Sequence, residues 1–444
     1  MTAAATTANA IPRAGGRYRW AICALLFFVI TINYIDRQVI GVLKPIIEVE
    51  MGWSEIDYSN IVFAFQLSYG IGLLVVGRLL DKVGTRWGMA VAIAIWSLAA
   101  MFHAAARGVL AFMLARVVLG LAEAAAYPGA VKSVAEWFPR RERALGVGIL
   151  NAGANVGVVM TPIVGIMIAG LYGWRAAFIV TGAIGFLVLA AWLMLFRQPQ
   201  GHPRVTPEEL AYIEQDGEDA AGKPLSWSEA ISHRQTWYFI CGKFFTDPVW
   251  YLFLFWLPDF FVKTQGLDLF PKADSGILST IGPALIAVYL LADIGSIAGG
   301  WQSSHFIKRG WSVNRARKTT LLLAALCAVP LLFVLQIDNA FVVVLIIGLG
   351  TAGHQAFSSN IFTMISDLYP RRAVATVAGL GGAAGAVGGM LIAKVTGWSL
   401  EYLGTYLPVL IYAGLAYLIA FGVIHWLVPR MEPAPLAPAL ETTR

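Results

Sequence analysis

The sequence predicts an all-α membrane protein: twelve transmembrane helices in two pseudo-symmetric six-helix bundles. Three observations predict it. Of 444 residues, 58% are hydrophobic and only 13% are charged, against about 25% charged in a soluble domain. Twelve apolar segments approach or exceed the roughly 20 residues that a spanning helix needs. They lie at 20–43, 58–80, 87–106, 108–137, 143–170, 175–197, 234–262, 275–300, 317–337, 340–368, 373–397 and 403–428. The longest polar stretch, 198–233, divides them six and six.

Taken in order, the chain reads as a tail (1–19), a first bundle (20–197), a linker (198–233), a second bundle (234–428) and a second tail (429–444). The segment at 20–43 is too long for a signal-peptide core and has no small-residue cleavage site after it, so it reads as a retained first span. Basic residues collect in alternate loops. One set holds Arg13, Arg17, Arg19, Lys82, Arg86, Arg140, Arg141, Arg143, Arg204, Lys223, Arg234, Lys308, Arg309, Arg315, Arg317, Lys318, Arg371, Arg372 and Arg430. The opposite set holds little beyond Lys44, Arg107, Arg175, Lys263 and Lys272. By the positive-inside rule both termini and the linker are cytoplasmic. The net charge of +6 is thus a signal of topology, and no nucleic-acid partner is expected. Cys23, Cys241 and Cys327, an odd number inside apolar segments, argue against a disulfide framework and read as small packing residues.

Weak internal echoes cross the linker. Gly77, Asp81, Lys82, Gly84 and Arg86 after the second segment are answered by Gly300, Lys308, Arg309 and Gly310 after the eighth. Gly146, Gly148, Gly153 and Gly157 recur as Gly379, Gly382, Gly385 and Gly388. Such small-residue faces read as tight helix packing. Duplicated halves of this kind place a ligand site between them, at the membrane midplane.

Charges inside the membrane are the candidate site. Asp36 and Arg37 sit together near the end of the first segment, and Arg116 and Glu123 sit in the fourth. A spacing of seven puts the second pair on one helix face, two turns apart. Intramembrane charges are expensive and face a cavity or one another, which makes them a transport-site hypothesis by default. Lys243 and Asp247, four apart, are expected to satisfy each other. Asp293, His354 and Gln355 are further intramembrane polar residues, and Ser358, Ser359, Asn360 and Thr363 follow along the tenth segment. Asn151 and Asn155 punctuate the fifth. Tyr34, Tyr69, Trp250, Tyr251 and Tyr289 add aromatic surface with polar tips. No His-x-x-x-His or Gly-x-Ser-x-Gly pattern is present, and neither a metal site, a cofactor nor an enzyme activity is expected.

The stretch 77–87, with Gly77, Asp81, Lys82, Gly84 and Arg86, resembles the signature loop of the major facilitator superfamily. Asp81 there is placed to meet donors at a neighbouring helix end, and Asp81 and Arg86 are read as gating residues. The stretches 33–37, 115–128 and 136–143 resemble the anion:cation symporter family of that superfamily, over essentially all twelve segments. In the second half, 247–258, 292–300, 353–359 and 374–380 resemble its hexuronate branch. The resemblance implies that Asp36 and Glu123 carry protons, Arg37 takes the substrate carboxylate, Arg116 pairs with Glu123, and Tyr34 and Tyr69 line the pocket. Asn155 and Gly382 stand where the galactonate carriers of the family have a glutamine and an asparagine. Asn155, His354, Gln355, Ser359 and Asn360 are therefore the candidate readers of substrate hydroxyls. The expectation is a monomeric, proton-coupled importer of a sugar-acid monocarboxylate, a hexuronate first, in the bacterial inner membrane. Its partners are the organic anion, the proton and the bilayer. An aldonate, a dicarboxylate or a sulfonate is the alternative cargo.

Overall fold

The computed structural model describes residues 16–215, 225–270 and 279–435. Arg13, Lys223, Lys272 and the far ends of both tails lie outside the described residues. The fold is built from long helices. These are α1 (Tyr18–Met51), α2 (Glu55–Val83), α3 (Thr85–Phe102), α4 (Val109–Glu123), α5 (Ala126–Trp137), α6 (Arg140–Tyr172) and α7 (Trp174–Leu195). Two short ones follow, α8 (Pro207–Ile213) and α9 (Trp227–Ser232). Then come α10 (Arg234–Gln265), α11 (Ile281–Lys308), α12 (Val313–Leu326), α13 (Ala340–Leu368), α14 (Arg371–Trp398) and α15 (Leu407–Leu427).

Local chemistry sets the helix ends. Ser54 and Asp57 form a reciprocal capping box at the start of α2, which satisfies two otherwise orphaned N–H groups. Gly52 ends α1 with φ of 65°, and Gly84 turns α2 into α3 with φ of 84°, a region open to glycine at no steric cost. Eleven helical segments among the described residues are long and apolar enough to cross a membrane. The remaining long helix, α10, is less apolar because it carries Lys243, Asp247, Asp259 and Lys263. Its 32 residues still span about 48 Å at ~1.5 Å per residue, and it packs among the others, against α14, α15 and α1.

Three elements depart from the sequence reading. The fourth segment is two helices, broken at Ala124–Ala125 immediately after Glu123. The ninth leaves α-helix at Cys327 and continues as a 3₁₀ turn over Val329–Gln336, where Pro330 cannot supply an N–H. The linker, expected as a polar connection, folds at both ends. Glu209 of α8 is buried and accepts from the backbone N–H groups of Tyr18 and Arg19, capping the start of α1, and Tyr212 donates to Glu142 of α6. α9 packs on α10 and α14.

In the first half α1 lies on α6 and α7, and α2 on α4; in the second, α10 lies on α14 and α15, and α11 on α13. Two of the echoing pairs, Gly153 with Gly385 and Gly157 with Gly388, do equivalent work against α1 and α10. A β-carbon at Gly157 would come within 2.6 Å of the Thr31 carbonyl oxygen on α1, and one at Gly388 within 2.7 Å of the Phe244 carbonyl oxygen on α10. The halves meet through α2 with α14, α1 with α10, and α6 with α11. These contacts gather at one end. Tyr58 donates to the Phe255 carbonyl (2.8 Å), Gln38 donates to Tyr289 (2.8 Å), and Lys394 bonds Asn60. Gly41 lets the α1 and α10 backbones approach, since its β-carbon would lie 3.0 Å from the Leu254 carbonyl oxygen. Toward the other end, where α1 begins, α14 is free of α2: side chains at Gly379 and Gly382 would meet nothing within 4 Å.

Candidate functional site

Below the closed end, α1 and α4 bring four charges together. Arg37 donates from Nε to Glu123 Oε2 at 2.9 Å, with side-chain exposures of 5% and 0%. A second Arg37 nitrogen reaches Asn33 Oδ1 at 3.3 Å. The guanidinium is walled by the rings of Tyr69 (4.5 Å), Tyr34 (4.9 Å) and Phe65 (5.5 Å), an arrangement in which a cation gains from the ring faces. The helix break after Glu123 frees this end of α4 and sets its carboxylate against α1.

Arg116 corrects the sequence reading. It was expected to pair with Glu123, but it donates to the Arg37 carbonyl oxygen at 2.9 Å. Seven residues along one helix are about 10 Å, too far for a direct pair, and Arg37 enters from α1 to take the acid. Two Arg116 nitrogens, Glu123 Oε1 and both Asp36 oxygens are buried without hydrogen-bond partners among the described residues. Asp36 points away from Arg37, with the Thr181 side chain of α7 beside it. Burying charge without full pairing is costly, and this cluster is the least satisfied polar region of the first half.

The second half differs. Lys243 and Asp247 pair at 2.6 Å, as their spacing led one to expect. His354 stacks on Trp250 (5.1 Å, 8°) and bonds Tyr417 through Nδ1 at 2.9 Å. Asn360 is buried, with its amide donating to the Gly299 and Ala356 carbonyls and receiving Arg317 at 3.4 Å. The structure thus places Asn360 in the seam of α11, α12 and α13. Ser359 bonds back to Ala356 within its own helix. Gln355 is half-buried, as is Asn155 on α6.

Asp81 and Arg86 lie at the open end. Asp81 accepts from Lys132 of α5 at 2.5 Å, with 72% of its side chain exposed. Its partner is a lysine side chain, where the sequence pointed to a helix terminus. Arg86 donates to the Leu193 carbonyl on α7 at 2.9 Å.

Several residues escaped the sequence reading. Gln66 of α2 is fully buried with both amide atoms unpartnered. It stands beside Gly389, whose β-carbon would lie 3.1 Å from the Gln66 Nε2 and 2.6 Å from the Tyr251 ring. Tyr127 donates to Asn151 at 3.1 Å. A cluster of Lys44, Glu48, Glu55, Asp259 and Lys263 joins the halves at the closed end. An isolated glutamine in an apolar run carries no signal, and lysines at the ends of apolar segments read as loop charges.

The sequence model of the Major Facilitator Superfamily matches residues 26–393. The chain belongs to the major facilitator superfamily. It is 30% identical to the hexuronate transporter of Escherichia coli (strain K12), over 94% of this chain and 95% of that one. It is 27% identical to the D-galactonate transporter of Escherichia coli O6:H1, over 91% and 94%. It is also 27% identical to a probable galactarate/D-glucarate transporter of Bacillus subtilis, over 93% and 94%. In fold it is similar to a bacterial homolog of the human lysosomal transporter Spinster, crystallised inward-facing and occupied. The TM-score is 0.73 at 19% identity, covering 95% of this chain and all of that one. The relatives are carriers rather than enzymes, and this superfamily member is a multi-pass membrane transporter.

Proposed function

We propose that the protein is a proton-coupled importer of a sugar-acid monocarboxylate, a hexuronate in the first place. The observation that carries this reading is the Arg37–Glu123 pair beside the partnerless Asp36. A proton delivered to Glu123 removes the negative charge that holds Arg37, and one on Asp36 lowers the negative charge beside Glu123. The guanidinium is then free to take a substrate carboxylate in a two-point fork, between the rings of Tyr34 and Tyr69. Arg116, bonded to the Arg37 carbonyl, holds that turn of α1 in place. Asn155 and Gln355, half-buried and on different halves, read the hydroxyls, while His354 and Ser359 support the second wall. The names of the relatives favour sugar acids as a class, so an aldonate or an aldarate is the second reading.

The halves divide at the linker 198–233, with both termini cytoplasmic. On that topology the closed end is periplasmic, the structure faces inward, and Asp81 and Arg86 belong to the cytoplasmic gate. The carrier acts as a monomer in the bacterial inner membrane, and the bundles rock about the central site. The test is a thermal-shift screen of the purified protein against glucuronate, galacturonate, galactonate and galactarate, since a ligand of the folded state stabilises by mass action. Uptake into proteoliposomes with an imposed pH gradient follows. Stabilisation by uronates and accumulation driven by an acidic exterior are the expected results. No shift with any of these acids would remove the sugar-acid reading.

A further inference from the structure

The first helices of the two halves carry one charge pattern in opposite sign. On α1, Lys44 and Glu48 are four apart; on α10, Asp259 and Lys263 are four apart. The positions correspond to within one residue, since Lys44 lies 26 residues past the start of α1 (44 less 18) and Asp259 lies 25 past the start of α10 (259 less 234). All four meet. Lys44 pairs with Glu48 at 2.6 Å and Asp259 at 2.7 Å; Lys263 pairs with Glu48 at 2.7 Å and Asp259 at 3.2 Å. Each cation touches the acid of its own helix and the acid of the other, so the ring is closed. Lys44 and Asp259 are wholly buried. Tyr406 donates to the second Asp259 oxygen at 2.5 Å. Glu55, at the start of α2, adds a fifth charge that touches both lysines.

We propose that Lys44, Glu48, Asp259 and Lys263 form a charge-inverted latch between the halves, which holds this end closed and parts as a unit when the carrier opens there. Its construction allows release. Pulling one partner from a buried ion pair strands the other, which is strongly unfavourable. Here separation strands neither lysine: Lys44 leaves with Glu48 and Lys263 with Asp259, as helical i, i+4 pairs. Only the cross-half pairs are lost, those of Lys44 with Asp259 and of Lys263 with Glu48 and Glu55, while Glu55 stays with Lys44. The latch sits on the same helix as Arg37, two turns further along α1.

The test is conformational and needs no substrate, so it stands apart from the identity of the cargo. Cys23, Cys241 and Cys327 are replaced by serine, and spin labels are placed at Val49 and Tyr402, which are 80% and 68% exposed on opposite halves. Exchanging the pair on α1 alone (Lys44→Glu with Glu48→Lys) sets like charges against like across the halves. So does exchanging the pair on α10 alone (Asp259→Lys with Lys263→Asp). Like-charge contacts across an interface are strongly unfavourable. Each exchange is expected to lower the ratio of short to long label distances by roughly tenfold or more. Exchanging all four, with Glu55→Gln so that the fifth acid does not face the two relocated ones, restores the pattern and is expected to return the ratio to within about threefold of the parent. The milder Glu48→Gln, at the partly exposed end, shifts the ratio in the same direction and serves if an exchanged protein fails to fold. An unchanged ratio in either single-helix exchange, or in Glu48→Gln where an exchange does not fold, overturns the latch. So does failure of the folded fourfold exchange to restore it.

Discussion

The charged groups of the two halves are built on opposite terms. The α1–α4 group gathers Asp36, Arg37, Arg116 and Glu123 and leaves much of their hydrogen-bonding capacity unused. The α10–α13 group holds Lys243, Asp247 and His354, each with a partner in place, while Asn360 is bonded into the α11–α13 seam. A buried polar network fully satisfied fixes a packing; one left short is where an incoming charge or proton gains most. The comparison is the ground for proposing anion and proton handling in the first half and a supporting frame in the second.

Replacing Arg37 is the strongest way to break this contrast. Removing one partner of a buried charge pair between binding partners costs about 2–5 kcal/mol, and about 1.4 kcal/mol is tenfold, so Arg37→Ala should lose uronate affinity by roughly 30-fold or more. Arg37→Lys should fail almost as badly, because a point charge cannot replace the planar fork. Wild-type affinity in the lysine variant, measured by calorimetry, would remove the carboxylate role.

Asp36→Asn and Glu123→Gln come next. Both should lose accumulation against a gradient while at least one keeps substrate exchange, since each mimics a protonated acid. The assay is uptake and counterflow in the same proteoliposomes. Full concentrative uptake in both variants would make the first group as static as the second.

His354→Ala sharpens the contrast from the other side. Loss of the Tyr417 hydrogen bond, worth about 0.5–1.5 kcal/mol, should lower the melting temperature by a few degrees. The preference for a uronate over its deoxy analogue should stay the same. Gln355→Ala should narrow that preference with little change in stability, because a site built to bond hydroxyls rejects ligands lacking them. A reversal of these two outcomes would put His354 at the substrate and Gln355 in the frame.

The smallest effect is expected from Asp81→Asn. An exposed pair such as Lys132–Asp81 contributes about 0.2–1 kcal/mol, so affinity should be unchanged and turnover should fall about two- to fivefold. A large affinity loss at normal turnover would contradict a gate far from the site.

The sequence by itself determined the all-helical, membrane-spanning class and marked the four charges of the first half. Each of these is local or compositional: a span needs an unbroken apolar run, and a charge within such a run is conspicuous because lipid excludes it. It also determined the Lys243–Asp247 pair, since both partners lie on one turn-and-a-bit of a single helix. Only the tertiary structure decided who pairs with whom across helices. It gave Glu123 to Arg37 instead of Arg116, folded Asn360 into a seam, buried Gln66 without a partner and assembled the Lys44–Asp259 latch. Those outcomes depend on the axial level and rotation at which separate helices meet. Hydropathy and periodicity fix which face of a helix is polar, but they leave open what stands opposite that face.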